Sequence, residues 1–132
     1  MIGVDIIKTT RFKKLAEQGN PSFMSRVFTQ AEQEYLQNKK LESMAGVFAA
    51  KEAVAKALGT GFTGFNPCDI EITHNALGKP HVTLHGNAKA QAKKIARSAR
   101  RKPYKMRSDL VKIHVSISHS DEDAIAFAVV CL

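Results

Sequence analysis

Apolar and polar residues alternate in several segments of this chain, a pattern typical of β-strands. The alternation is strict at 112–119, and it recurs at 68–74 and 79–85 on either side of a short loop. A period of two predicts strands, and the two shorter segments predict a β-hairpin with a longer loop. Apolar runs at 2–7 and 124–132 predict a short buried strand near the start and a last strand at the end.

Helical spacing of apolar residues dominates the middle of the chain. Within 41–58, Met44, Val47 and Val54 recur at helical intervals among many alanines, and Gly59 follows as a stop. Glycine is common just after a helix because it adopts positive φ without steric cost. The segment therefore predicts one long helix, packed on several sides.

Capping signals before this helix predict shorter ones. Thr10 can cap a helix over 10–18 that stops at Gly19, and Asn20-Pro21 supplies a cap and a first helical position for the next helix. Asparagine accepts from the free N–H groups of a first helical turn, and proline lacks an N–H that would be left unpaired there. We therefore expect two short helices in succession.

Two further helices are indicated by a capping box and by periodicity. Thr29 and Glu32 have capping-box spacing, which predicts a helix from about 30 toward 40. Alanines and Ile95 share one face of 87–100, which predicts another helix. The resulting order of elements is an α+β arrangement with an antiparallel sheet packed against helices. A length of 132 residues fits a single domain spanning 1–132.

The chain is strongly basic, with a formal net charge of +8. Half of its 20 Lys and Arg residues fall within 89–112, so this segment is where a polyanion would be attracted. A basic nucleic-acid-binding module is one interpretation, but Tyr104 is the single aromatic residue there and no nucleic-acid-binding signature accompanies the charge. For 97–112 we favour a mobile solvated loop; the alternatives are binding of a substrate phosphate, of an acidic protein partner or of another polyanion, and nucleic acid is an improbable partner.

The cysteines and the hydropathy exclude other classes of protein. Cys68 and Cys131 lie far apart without a CxxC spacing, so we expect free thiols and neither zinc nor a disulfide. No apolar stretch approaches the roughly 20 residues that a membrane span requires. We expect a cytoplasmic protein that makes no membrane contact.

Three side chains form the main candidate for chemistry. Glu52 and Lys56 stand four residues apart on the long helix, where an ordinary surface ion pair is one interpretation. Asp5 lies in an apolar strand, and an unpaired buried carboxylate is costly. Pairing Asp5 with Lys56 or with a metal ion would remove that cost. Two carboxylates from separate elements are what Mg²⁺ usually receives from a protein, so a magnesium site is the second interpretation.

A histidine at a strand end is a further candidate. His119 follows an alternating strand, where catalytic groups are often displayed, although a lone histidine there is more often a structural residue. A hydrolytic triad of Ser118, His119 and Asp121 is disfavoured, because neighbouring residues on a strand point to opposite faces.

Three segments together resemble a known family. GVDI at 3–6, FAAKEAVAKALGTGF at 48–62 and VSISHS at 115–120 are similar, in order and spacing, to holo-[acyl-carrier-protein] synthases, the small class of 4′-phosphopantetheinyl transferases. The resemblance spans nearly the whole chain. It implies the 4′-phosphopantetheinyl transferase fold and an Mg²⁺-dependent transfer of 4′-phosphopantetheine from coenzyme A to a serine of apo acyl carrier protein. Adenosine 3′,5′-bisphosphate would be released, and fatty acid biosynthesis would be served.

The resemblance also implies roles for particular residues. Asp5 and Glu52 would bind the metal, and Glu52, or water held by it, would be the base for the carrier serine. Lys56 would act on the pyrophosphate or leaving group, and His119 would contact coenzyme A or the reacting groups. The remaining residues implied to contact coenzyme A are Gly59, Gly61 and Lys79.

Partners follow from the same resemblance. Arg11, Phe23 and Arg26 match the positions at which the family binds its strongly acidic carrier protein, although solvated arginines and a core phenylalanine are the alternative. The family forms homotrimers with active sites between subunits, so His119 and Glu52 of one site can come from different chains. A polyketide-type carrier domain is an alternative acceptor with the same catalytic residues.

The chain departs from the family pattern at one position in the middle segment. Many members have an arginine where this chain has Val47, so one phosphate contact is missing and another cation would have to replace it.

Overall fold

The structure is a computed structural model that describes residues 1–18, 22–99 and 111–132. Within these ranges, four helices follow the first strand, one helix separates two later pairs of strands, and a short 3₁₀ turn at Pro67–Asp69 precedes the second strand. In chain order the elements are β1 Ile2–Lys8, α1 Thr9–Gln18, α2 Ser22–Val27, α3 Gln30–Leu36, α4 Leu41–Ala57, β2 Ile70–His74, β3 Pro80–Leu84, α5 Gly86–Ala99, β4 Lys112–His119 and β5 Asp123–Cys131.

The strands form two antiparallel sheets. One contains three strands in the order β1-β5-β4, and the other is the hairpin of β2 and β3. Asp5 and Ile117 both pair with Ala126, so they occupy one row across the larger sheet. The predicted α+β class and antiparallel pairing are confirmed, with the strands divided between two sheets.

Helix α4 lies against one face of the larger sheet, and small side chains allow it to come close. Ala124, Ala126 and Ala128 of β5 are all buried, as are all the alanines of α4. The closest approach is at Gly3, where an added Cβ would lie 1.9 Å from the carbonyl oxygen of Ala53. A side chain at position 3 would therefore push β1 away from the helix that carries Glu52.

The opposite face of this sheet is uncovered in the single chain. Ile2 and Ile6 of β1 are 66% and 64% exposed, and Phe127 of β5 is 44% exposed. The expectation of a fully buried first strand is therefore wrong, because helix packing covers one face only and the outward residues of each strand remain in solvent. A continuous apolar run did not distinguish these two arrangements.

The helix boundaries agree with the capping signals to within a few residues. The capping box of Thr29 and Glu32 is present, but α3 ends at Leu36 instead of continuing toward residue 40. Helix α1 begins at Thr9, so Thr10 is inside the helix. The Thr9 hydroxyl donates 2.7 Å to the carbonyl oxygen of Asp121 and ties the helix start to the β4–β5 connection. The predicted signals at Gly19 and Asn20-Pro21 lie outside the described residues.

The remaining predictions concern thiols, membrane contact and the basic segment. Cys68 and Cys131 are free thiols, as expected. None of the helices in the described ranges is long and apolar enough to cross a membrane. Most of the basic segment 97–112 falls within the part that the structure does not describe, so its interpretation as a mobile loop stays a prediction.

Candidate active site

Asp5 and Lys56 are joined by a short ion pair between β1 and α4. The Lys56 Nζ lies 2.7 Å from Asp5 Oδ1 and also donates 3.1 Å to the carbonyl oxygen of Val4. The Asp5 side chain is 16% exposed, whereas that of Lys56 is 49% exposed. Lys56 therefore pairs with Asp5 of the strand, which is one of the two interpretations given for Asp5. The alternative surface ion pair between Glu52 and Lys56 does not form.

The Glu52 carboxylate lies beside this pair, and within the described part of the chain it forms no hydrogen bond or ion pair. Burial raises the pKa of its carboxyl, the negative charge of Asp5 raises it further, and Lys56 partly opposes both. The net rise shows that two carboxylates share one ammonium here in partly desolvated surroundings. An additional cation at this place would be stabilised.

The donor set is compatible with magnesium and not with a closed protein cage. No group of three or more His, Cys, Asp and Glu side chains that could hold a metal ion occurs in the described ranges. Mg²⁺ commonly takes only one or two carboxylates and completes its octahedral shell with water and substrate phosphate. Asp5 and Glu52 fit that requirement.

A pocket of about 180 Å³ opens onto the two carboxylates, and we call it the Asp5 pocket. Asp5 and Glu52 line it together with Phe48 of α4 and with Arg11 and Leu15 of α1. Arg11 is exposed, so its guanidinium is available to an anionic partner at the pocket mouth. The structure thus brings four of the predicted site residues, Asp5, Glu52, Lys56 and Arg11, to one side of α4.

His119 lies at a second pocket, which shares no lining residue with the first. This His119 pocket, also about 180 Å³, is lined by Val47, His74 and Tyr35 among others. The imidazole faces α4, since its Cδ2 would lie 4.0 Å from a Cβ built on Gly46. Within one chain, therefore, His119 is not brought to Asp5 and Glu52.

The His119 pocket has aromatic walls. Tyr35 stacks on His74 with ring centroids 4.4 Å apart, and Lys39 Nζ lies 5.0 Å from the centroid of the Tyr35 ring. Burial lowers the pKa of His74, and the positive charge of Lys39 lowers it further. Val47 is 2% exposed and contributes only apolar surface to this pocket. Position 47 therefore supplies no positive charge here, as the sequence indicated.

The predicted glycines and Lys79 lie in two turns. Gly59 and Gly61 have φ values of 82° and 55°, which favour glycine and form a tight turn after α4. Lys79 is exposed between Gly78 and Pro80, which both line the His119 pocket. The contact of these residues with coenzyme A stays a prediction.

Phe23 and Arg26 lie away from the Asp5 pocket. Both line a third, wider hollow of about 560 Å³ that also includes Cys68. The Phe23 ring packs against Phe12 with centroids 6.4 Å apart, so part of it belongs to the core, whereas Arg26 is exposed. Arg11 and Arg26 are thus presented by different helices, and only Arg11 reaches the carboxylate pocket.

Sequence reasoning did not identify a buried ion pair on the same helix. Lys51 and Glu32 are completely buried and their charged atoms lie 2.6 Å apart. The sequence indicated only a capping role for Glu32, and it indicated no separate role for Lys51 within the FAAKEA segment. A lysine in an alanine-rich helix packed on several sides was the available signal, but its partner could not be found without the fold.

Residues 1–126 match the family model of the 4′-phosphopantetheinyl transferase superfamily. A holo-[acyl-carrier-protein] synthase of Clostridium tetani is 47% identical over 131 residues, which cover 98% of this chain and 93% of that protein.

Solved structures agree with this match. The holo-[acyl-carrier-protein] synthase of Helicobacter pylori in complex with coenzyme A superposes with a TM-score of 0.77 at 29% identity, covering 99% of this chain and 100% of that one. The holo-(acyl-carrier-protein) synthase from Bacillus anthracis in complex with CoA (3′,5′-ADP) gives a TM-score of 0.71 at 32% identity, covering 98% and 93%. The similarity therefore extends over nearly the whole chain.

Proposed function

This chain belongs to the 4′-phosphopantetheinyl transferase superfamily and is an enzyme of the holo-[acyl-carrier-protein] synthase type; we propose that it transfers 4′-phosphopantetheine from coenzyme A to a serine of apo acyl carrier protein. The serine oxygen forms a bond to the pantetheine-bearing phosphorus, and the anhydride bond to adenosine 3′,5′-bisphosphate breaks. The observation that carries this proposal is the Asp5 pocket, where two carboxylates and one ammonium meet at a surface opening.

We propose Asp5 and Glu52 as the protein ligands of Mg²⁺. Their excess negative charge, expressed in the raised pKa of Glu52, is what a divalent cation would neutralise. When bound, Mg²⁺ supplies positive charge to the pyrophosphate oxygens of coenzyme A during the displacement.

Glu52 is also positioned to accept the proton of the carrier serine. A carboxylate whose pKa is raised by burial is a better base than a solvated one, and it makes no competing hydrogen bond in the described part of the chain. The proton moves from the serine hydroxyl to Glu52, directly or through one water molecule.

Lys56 is proposed to stabilise the leaving group. Asp5 holds its ammonium at 2.7 Å, yet almost half of the side chain remains accessible to a ligand. An ammonium has three donors, and two of them are used by Asp5 and Val4. The third can donate to the oxygen that acquires charge when the anhydride bond breaks.

The His119 pocket is proposed to bind another part of coenzyme A, in a site completed by a second copy of the chain. Support comes from the separation of the two pockets within one chain and from the uncovered apolar face of the larger sheet, where Ile2, Ile6 and Phe127 are exposed. Exposed apolar patches of this kind mark association surfaces. We propose a homotrimer with active sites between subunits, and light scattering that reports a stable, active monomer would refute it.

The carrier protein is proposed to approach over α1 and α2. Arg11 at the mouth of the Asp5 pocket, and Arg26 with Phe23 on the neighbouring helix, present positive charge and an aromatic edge. A net charge of +8 favours an acidic partner. We place the reaction in the cytoplasm and in fatty acid biosynthesis, with a polyketide-type carrier domain as the alternative acceptor.

Mass spectrometry of apo acyl carrier protein tests the proposal. After incubation with this protein, coenzyme A and Mg²⁺, the carrier is expected to gain the mass of one phosphopantetheine group, and a carrier whose acceptor serine is replaced by alanine should gain nothing. No gain by the intact carrier, combined with tight binding of DNA or RNA, would overturn the proposal in favour of a nucleic-acid-binding protein.

A further inference from the structure

The buried ion pair of α4 is more completely satisfied than the pair at the active site. Lys51 Nζ lies 2.6 Å from Glu32 Oε2, 2.8 Å from the carbonyl oxygen of Ile70 and 3.1 Å from that of Pro67. An ammonium has three N–H donors, so all of them are used. Burial lowers the pKa of Lys51, and the Glu32 carboxylate opposes that change.

Glu32 uses its remaining oxygen capacity on the backbone. Its Oε1 accepts 2.7 Å from the Ile72 N–H, and its Oε2 accepts 2.8 Å from the Thr29 N–H. The pair therefore connects α4 to the start of α3, to the 67–70 segment and to strand β2. Neither side chain has any exposed surface, so the pair is not available to a ligand.

Stability alone does not account for such a pair. Removing two charges from water is costly, and apolar residues of the same volume are often as stable or more stable at a buried site. What the pair adds is geometry, because three acceptors fixed on other elements must all be met by one nitrogen. An apolar side chain would permit small rotations of the helix that the hydrogen bonds forbid.

The position of Lys51 on α4 makes that geometry relevant to Glu52. Side chains of successive helical residues lie about 100° apart around the axis, and those two apart lie about 200° apart. Lys51 is directed at Glu32 of α3 and Ile70 of β2, while the backbone carbonyl of Ala53 lies against Gly3 of β1. Glu52 lies between these two sides of α4, which other elements hold in place. Fixing both sides therefore also fixes the direction in which the Glu52 carboxylate points toward Asp5.

We infer that Lys51 is a positioning residue: together with Glu32 it fixes the rotation of α4 about its own axis and so holds the Glu52 carboxylate toward Asp5. The inference rests on the proposed function of Asp5 and Glu52 as Mg²⁺ ligands. Lys51 itself contacts neither metal nor substrate, and it acts through the backbone of the residue that follows it.

Charge-neutralising variants separate positioning from folding. Lys51→Met leaves Glu32 buried and unpaired, so the midpoint of thermal unfolding should fall by on the order of 10 °C. Adding Glu32→Gln removes the unpaired charge and retains an oxygen for the Ile72 N–H, and the double variant should recover much of that loss. Lys13→Met, which removes an exposed ion pair between Lys13 and Glu17, is the matched control and should leave the midpoint unchanged.

The decisive readouts are taken on the double variant. Calorimetric Mg²⁺ binding to the coenzyme A-saturated protein should weaken by about tenfold, as when a supporting partner of a metal ligand is lost. The value of kcat should fall by about tenfold, while the KM for coenzyme A changes less than twofold. Recovery of wild-type Mg²⁺ affinity together with stability would overturn the inference, because the pair would then serve folding only.

A second variant keeps the inference testable if the double variant does not fold. Glu32→Asp retains both charges and shortens the reach by one methylene group, and it should weaken Mg²⁺ binding by about threefold; unchanged binding would overturn the inference. Failure of the proposed function is distinguishable, because a wild-type protein without transferase activity refutes that function, whereas weakened Mg²⁺ binding by these variants still supports positioning.

Discussion

Two lysines of one helix, Lys51 and Lys56, each form a short ion pair with a carboxylate from another element, but the two pairs differ in burial and in how many donors of the lysine are used. The Lys51–Glu32 pair is completely buried and every donor of the lysine is used. The Lys56–Asp5 pair has nearly the same length, 2.7 Å, yet its lysine is 49% exposed and a second carboxylate, Glu52, lies beside it.

The difference shows how one helix can combine a fixed structure with a site that is open to ligands. We call the Lys56–Asp5 pair the open pair, and this pair together with Glu52 the open site. A saturated pair has no capacity for a ligand, so it can only hold elements together. A pair with surplus negative charge and an exposed ammonium is incomplete, and it gains stability from an added cation and anion. We propose that Mg²⁺ and the pyrophosphate of coenzyme A supply those two charges.

The strongest way to break the open site is to neutralise Glu52. Glu52→Gln should lower kcat/KM for phosphopantetheine transfer by at least about 10³-fold, since a metal ligand and a proton acceptor are lost together. The rate of transfer is measured by the gain in mass of the carrier protein. Glu34→Gln on exposed α3 surface is the control, and an activity equal to wild type in Glu52→Gln would remove Glu52 from the site.

Removing the ammonium of the open pair should have the next largest effect. Lys56→Met should lower kcat by about 10²-fold, because one donor to the leaving group is lost. The midpoint of thermal unfolding should fall by less than in Lys51→Met, because the Lys56–Asp5 pair is partly exposed and the Asp5 carboxylate left behind keeps some contact with water. This contrasts with Lys51→Met, and a large loss of stability in Lys56→Met would show that the two pairs have the same structural role.

A charge reversal at the mouth of the open site is expected to act on partner affinity. Arg11→Glu should raise the KM for the carrier protein by about tenfold at low salt, with kcat nearly unchanged, and the effect should diminish as salt screens the charges. Lys40→Glu makes the same change of charge at the exposed start of α4, outside α1, α2 and the basic segment 89–112, and serves as the control. Equal KM values for Arg11→Glu and wild type at low salt would exclude Arg11 from carrier docking.

The smallest effect concerns the cost of the open site to stability. The Glu52 carboxyl has a pKa raised on folding, so it binds its proton more readily in the folded chain than in the unfolded one. Stability therefore falls as pH rises from about 4 through the raised pKa, and the full cost is present above that pKa. Without Mg²⁺, Glu52→Gln should raise the unfolding midpoint by about 1–3 °C at pH 7 and change it little at pH 4. A lower midpoint at pH 7 would contradict this.

The helices and strands could be predicted from the sequence because their signals are local. The period of two at 112–119, the alanine-rich helical spacing at 41–58 and the capping box at Thr29 all depend on neighbouring residues only. The apolar run of β1 gave a wrong prediction of burial, because the outward residues Ile2 and Ile6 are as apolar as the inward ones. Hydrophobicity identifies a strand but not whether its second face is covered.

The candidate site divides in the same way. Asp5, Glu52 and Lys56 could be proposed as a group because a carboxylate in an apolar strand requires a partner and because the surrounding segments resemble a known family. The Lys51–Glu32 pair could not, since its two members are 19 residues apart and both have ordinary local explanations. Its existence depends on the packing of α3 against β2, which sequence spacing does not determine.

The most direct test of the open site is calorimetric titration of Mg²⁺ into the coenzyme A-saturated protein, with coenzyme A alone as the blank. Wild type and the exposed control Glu34→Gln should each bind about one ion per active site, in keeping with a site built from one or two protein carboxylates. The variant Asp5→Asn/Glu52→Gln should bind none while its unfolding midpoint stays at or above that of wild type. Mg²⁺ binding by this variant with wild-type affinity would contradict the assignment of the open pair as the metal site.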